Sequence, residues 1–213
     1  MEEWLKIVLY IVGALLALGV VFAIFCLFFI SWRIYLGVLV RKNKEKWGRT
    51  CSAPDDPGMV EMWDIGLAWG KKNFESMKVV SIQNDGLKLV GEFFDFGYTR
   101  TAFIVQGRSE CCKYSYFYAE PYQKAGYNIL VIDTRAHGMS EGKYNTAGVK
   151  ESQDVLAWCR FLHDELNQTS IIIHSICVGG SATTIAVTDP NCPEYIDKVI
   201  FDGLFATFVD SFA

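Results

Sequence analysis

The sequence predicts an α/β protein whose mostly parallel sheet opens with a β-hairpin and is preceded by one transmembrane helix. Three observations carry this reading: an uncharged run near the N-terminus, two strand-like segments around Asn84-Asp85-Gly86, and short apolar runs alternating with helical stretches after them. With 51% hydrophobic and 21% charged residues in 213, the chain must bury apolar surface, which excludes a disordered tail or a low-complexity linker.

Residues 7 to 30 carry no charge. At 1.5 Å per residue such a helix is about 36 Å long, enough for a hydrocarbon core of about 30 Å with some tilt. A cleaved signal peptide would have a shorter apolar centre, a basic front and a small-residue cleavage site; here Glu2 and Glu3 lead, and Phe22, Phe25, Phe28, Phe29 and Trp32 crowd the far end. Residues 1–40 are therefore read as a membrane anchor. Trp4, Trp32 and Tyr35 suit the two interfaces. The basic flank Arg33, Arg41, Lys42, Lys44, Lys46 and Arg49 predicts that residues 41–213 face the cytoplasm. Lipid is thus one expected partner.

Residues 41–58 are basic, then rich in Pro and Asp, and read as a juxtamembrane linker. The folded domain is expected over 59–213. Val60, Trp63, Leu67 and Phe74 suggest an amphipathic helix. Residues 77–82 and 87–94 read as strands of a hairpin, its turn built from Asn84-Asp85-Gly86. Strands are then expected at 101–105, 127–132, 170–173 and 198–201, with helices at 115–125, 149–163 and 181–187.

Beyond residue 49 the chain is acidic, with a net charge of -8 against +4 before it, which argues against a nucleic-acid partner. Seven cysteines at irregular spacing match neither a disulfide framework nor a metal site, so free thiols and a reducing compartment are expected, with no metal or other cofactor.

The chemistry should lie in Ile171-Ile-Ile-His-Ser-Ile-Cys-Val-Gly-Gly-Ser-Ala182, an apolar strand, a tight turn around Cys177, and a helix. A nucleophile at the tip of such a turn faces the positive end of the next helix, which favours anionic species and supplies backbone N–H donors. Gly179 and Gly180 allow the strand and helix to approach closely, whereas Ser175 stands where a further glycine would be expected and suggests a slightly altered turn. The alternative for Cys177 is a small apolar filler. His174, inside a strand, reads as a satisfied sheet-face histidine, and His163, at a helix end, as solvated.

Taken together, the hairpin, the strand ending Gln106-Gly107, the loop Asp133-Thr-Arg-Ala-His-Gly-Met-Ser-Glu-Gly142, the helix with Glu151, Asp154 and Trp158, and the elbow resemble the α/β-hydrolase superfamily. More narrowly, the chain is similar to membrane-anchored bacterial hydrolases of the serine-aminopeptidase-like type, over roughly residues 75–213. The family's Gly-x-Ser-x-Gly aligns with Ser175-Ile-Cys177-Val-Gly179, putting Cys177 at the nucleophile position and Gly179 at the elbow glycine. The resemblance implies an oxyanion hole made by the backbone N–H groups of Arg108 and Val178. It also implies that Arg135-Ala-His-Gly-Met-Ser140 is structural, with no catalytic role for His137.

In this superfamily the acid and histidine usually follow the seventh and eighth strands, whereas the sequence stops soon after the sixth, so a C-terminally truncated hydrolase is expected. Asp202 closes the sixth strand with no histidine to orient. The complete form would cleave an acyl ester, thioester or amide of a small-molecule substrate through an acyl-enzyme on Cys177. The alternative is a non-catalytic relative serving as a membrane-tethered binding or scaffold module.

Overall fold

The computed structural model describes residues 2–41, 53–54, 56–108 and 110–204. The linker expected at 41–58 therefore falls mostly outside the described residues. The chain divides after Val40 into two units. The first is a single helix, α1 (Glu2–Val38), whose apolar side chains are almost all exposed within the unit. It extends beyond the uncharged run at both ends and is long and apolar enough to cross a membrane.

The second unit is built on six strands: β1 (Met77–Asn84), β2 (Leu87–Phe94), β3 (Arg100–Val105), β4 (Asn128–Ile132), β5 (Ser170–Ile176) and β6 (Ile196–Asp202). They lie in the order β1-β2-β4-β3-β5-β6. β1 and β2 form the antiparallel hairpin, β2 joins β4 antiparallel, and β4, β3, β5 and β6 run parallel. Asp85, at a φ of 51°, and Gly86, at 71°, make the hairpin turn that the Asn-Asp-Gly triplet predicts.

Alternation along each strand sorts side chains to two faces. Phe103 and Val105 of β3, with Ile171 and Ile173 of β5, pack beneath α4 (Val149–Asp164) and α5 (Val178–Val187) in a core that also buries Leu156, Trp158 and Leu162. Ala102, Ile104, Ile129 and Val131 face the opposite way. There they meet Trp69 of α2 (Pro57–Lys72), Tyr116, and Ala119 of α3 (Ala119–Lys124). Asp56 caps α2 by accepting from the backbone N–H groups of Gly58 and Met59, and Pro57 begins the helix where its missing N–H costs nothing.

Three expectations need correction. The helix predicted over 115–125 starts as a 3-10 segment, Cys112–Tyr118, and becomes α-helical only at Ala119. Aromatic and serine residues are weak helix formers, and Tyr116 is drawn into edge contacts with Trp69 and Phe94. β5 and α5 are both longer than their periodicity suggests, meeting with only Cys177 between them. Finally, Cys111 is disulfide-bonded, against the expectation of free thiols, while Cys26, Cys112, Cys159, Cys177 and Cys192 are free.

Candidate active site

The parallel strands β3, β4 and β5 deliver three loops to one edge of the sheet. The loop after β5 is a single residue. Cys177 holds φ 52° and ψ -120°, a conformation costly for any residue with a Cβ, and Val178 begins α5 immediately. The Cys177 N–H donates to the Asp202 carbonyl at the end of β6 (2.9 Å), and the Cys177 carbonyl accepts from Gly180 (2.9 Å). A Cβ on Gly179 would stand 2.7 Å from the carbonyl oxygens of both Val105 and Gln106, so only glycine lets α5 start this close to β3. Ser175, where a glycine was expected, is fully buried and bonded to Thr183 of α5 across 2.6 Å. The hydroxyl pair fastens strand to helix, and the turn keeps its strained form.

The loop after β3 carries Arg108 and lies against α5. Gln106, Gly107, Arg108, Val178 and Gly179 are among the residues that line one small cavity of about 10 Å³. Gln106 donates from Nε2 to the Glu110 carbonyl (2.8 Å), and the Glu110 carboxylate accepts the Gly107 N–H (3.0 Å). Burial pushes the Glu110 carboxyl above its ordinary value, and that one N–H only partly offsets it.

The loop after β4 is a buried scaffold. Asp133 accepts from the backbone N–H groups of Cys112 (2.8 Å) and Met139 (2.7 Å), tying the β3 and β4 loops together. Gly138, at φ 44°, packs on the Asp133 carboxylate where no Cβ fits. Arg135 makes a two-pronged pair with Asp154 of α4 (2.6 and 2.7 Å), and Asn84 of β1 donates to the same carboxylate (2.6 Å). His137 is fully buried, its Nδ1 within 3.1 Å of the Thr134 hydroxyl and 2.9 Å of the Arg135 carbonyl, and burial lowers its pKa to about 4. A neutral, enclosed imidazole of this kind braces the loop.

His174 projects to the face occupied by α2 and α3. Its Nδ1 lies 3.1 Å from the Tyr122 hydroxyl, and its Nε2 is buried with no hydrogen-bond partner among the described residues. Burial holds its pKa below the ordinary histidine value, against a smaller upward pull from Asp202. Tyr118 packs on the His174 ring at 4.8 Å between centroids and hydrogen-bonds to Asp202. Pattern reading of the sequence did not single out this Tyr118–Tyr122–His174–Asp202 group, because its members converge only when β5, β6 and the Cys112–Tyr118 segment pack together. His163 pairs with Asp164 (2.8 Å) and stacks on Tyr195, half exposed near the end of α4. Among the described residues no hydrogen bond reaches the Cys177 sulfur, and no group of His, Cys, Asp and Glu could hold a metal.

No protein-family model matches the chain. Over 89 residues, 41% of its length, it is 32% identical to the uncharacterized protein YqkD of Bacillus subtilis, of which the match covers 29%. Among solved structures it is similar to an esterase of Pyrococcus furiosus, with a TM-score of 0.55 and 27% identity over 63% of this chain and 53% of that one. It is also similar to the α/β hydrolase GrgF from a Penicillium species, with a TM-score of 0.50 and 20% identity over 59% and 45% of the two chains. The chain thus spans about half the length of the esterase and less than a third of YqkD. Its fold is that of the α/β-hydrolases.

Proposed function

We propose that the chain provides the nucleophile half of an acyl hydrolase acting on an ester, thioester or amide, with Cys177 as nucleophile. The observation that carries this reading is the backbone of Cys177 itself: φ 52° and ψ -120° at a one-residue junction between a buried strand and a helix. Such strain persists where its surroundings over-determine it, and here it lifts a side chain to the helix N-terminus at the loop edge of the sheet. The Cys177 sulfur adds to the acyl carbonyl carbon, and the oxygen that takes up the electron pair accepts from the N–H groups of Arg108 and Val178. Collapse expels the alcohol, thiol or amine, which takes a proton as it leaves, and water later releases the acid. Gly179, by letting α5 start against β3, supports this pairing of donors.

Water activation in the last step calls for a base, and among the described residues none is bonded to the sulfur. The expected behaviour is therefore a burst. An activated nitrophenyl ester should release about one equivalent of nitrophenol per chain and then slow, because a missing general base costs a factor of about 100 to 10,000. Cys177→Ala should abolish the burst. Its absence in the unmodified chain would favour the second reading, a membrane-tethered binding or scaffold module, which is supported by the finding that among the described residues no side chain is hydrogen-bonded to the Cys177 sulfur.

In this proposal α1 is a single-pass anchor, residues 41–58 are its linker, and the hydrolase-fold domain occupies 59–213. The basic flank favours a cytoplasmic domain, whereas the disulfide at Cys111 favours an oxidising compartment. A reporter fused after Ala213 decides between them: activity only on export would overturn the cytoplasmic orientation.

A further inference from the structure

A second cavity, of about 40 Å³, lies one residue from Cys177 on the opposite side of β5 from α5. It is lined by Trp63, Tyr114 and Tyr118, together with Met59, Met62 and Ile176, the residue before the elbow. Trp63 and Tyr114 meet at 4.7 Å between centroids with their planes tilted by 55°. Glu110 is the one residue with an ionisable carboxyl among those lining it.

That carboxylate is out of place as a packing element. Burying an anion costs free energy unless a cation or several donors compensate it, and among the described residues the only donor bonded to the Glu110 carboxylate is the Gly107 N–H. No ion pair among the described residues includes it. Burial is the main cause that raises the Tyr118 hydroxyl to about 12, and the charges of Asp202 and then Glu110 beside it add to the rise. Aromatic faces and an uncompensated carboxylate attract the same thing, a cation.

The kind of cation is set by the donors it would bring. A primary ammonium carries three N–H groups and needs three acceptors. Here Glu110 offers one carboxylate, the Tyr118 hydroxyl is engaged with Asp202, and the thioethers accept weakly. A fully methylated ammonium has no N–H to satisfy, spreads its charge over methyl groups that rest on ring faces, and tolerates methionine as soft contact. A volume of about 40 Å³ also exceeds what one water needs, about 10 to 15 Å³, and gives room for a group of a few heavy atoms.

We propose that this cavity is a binding subsite for a methylated ammonium group, enclosed by Trp63, Tyr114 and Tyr118 and neutralised by Glu110. Ile176 precedes Cys177, and the Gly107 N–H that Glu110 accepts precedes Arg108, so the bound group lies beside both halves of the candidate active site. On the acyl-hydrolase reading it would be part of the substrate. Binding itself does not depend on that reading.

Choline and its uncharged isostere 3,3-dimethyl-1-butanol, titrated into the full chain in a maltoside detergent, test the proposal by ligand-observed NMR. Choline should bind at least about tenfold more tightly than the isostere, the scale of a desolvated cation–π contact. Glu110→Gln, which keeps an acceptor for Gly107, should erase that preference, and Trp63→Leu should weaken choline alone. The same titration on Cys177→Ala should be unchanged, so a failed burst and a failed cation site are separate results. Phosphocholine measured alongside distinguishes the source: tighter binding than choline assigns a lipid head group, weaker binding a free methylated amine. Equal binding of choline and the isostere, or no saturation of the choline methyl signal, would overturn the proposal, and neither outcome depends on a variant folding.

Discussion

The two faces of the sheet are built to different rules. Beneath α4 and α5 the core is largely hydrocarbon, with Phe103, Leu156, Leu162, Ile171 and Ile173 sealed from solvent, and buried polar groups at its margin pair closely, as Ser175 does with Thr183 and Arg135 with Asp154. Beneath α2 and α3 the contacts are aromatic and polar: Tyr116 bonds to Glu92, Trp69 donates to Gln123 (2.7 Å), and Tyr118 and Tyr122 surround His174. One face carries stability through close packing, where loss of a methylene is felt directly. The other accepts desolvation costs in order to bring hydroxyls, an imidazole and carboxylates up to the elbow, which is the trade that sites make.

This contrast between the faces can be broken at several points. The largest effect should come from Phe103→Ala on the sealed face, costing about 3 to 5 kcal/mol in denaturant unfolding. A cost well under that would mean the face is not close-packed.

Next in size is a pH effect at the loop that joins the two faces. His137 folds neutral with its pKa lowered to about 4, against about 6.5 when unfolded. Between those values the unfolded state binds the extra proton, so stability is intact above about pH 6.5 and falls as the pH drops toward 4. The full loss is on the order of 3 kcal/mol. Melting curves of wild type and His137→Asn across this window should differ in slope by about one proton, with the variant flatter.

A matched pair of hydroxyl deletions sharpens the contrast. Ser175→Ala on the sealed side strands the buried Thr183 hydroxyl and should cost about 1 to 3 kcal/mol. Tyr122→Phe removes the partner of His174 Nδ1 on the half-exposed polar side and should cost about 1 kcal/mol or less. Equal costs would dissolve the distinction between the faces.

The sequence made one of these faces much easier to read than the other. Strands β3, β4 and β5 announce themselves as apolar runs, and Gly179-Gly180 after such a run marks the elbow, because only small residues fit there. The Asn-Asp-Gly turn likewise has few conformations open to it. The aromatic face was obscure for a physical reason: Trp63, Glu110, Tyr118, Tyr122, His174 and Asp202 are scattered along most of the domain and share no period. The Cys111 disulfide was hidden in the same way, since pairing depends on tertiary proximity and irregular spacing gives no sign of it. Ser175 suggests a slightly altered turn in the sequence because its partner, Thr183, lies on the next helix and is not legible beside it.

The central claim is that Cys177 stands where an acyl group is received. Its most direct test is to incubate the full chain with an activated thioester, measure the intact mass, and map the modified peptide. The account predicts a single acyl adduct, carried by Cys177 and absent from Cys177→Ala, with Cys112, Cys159 and Cys192 unmodified. An unmodified Cys177, or acylation spread over Cys192 and the other thiols, would contradict it.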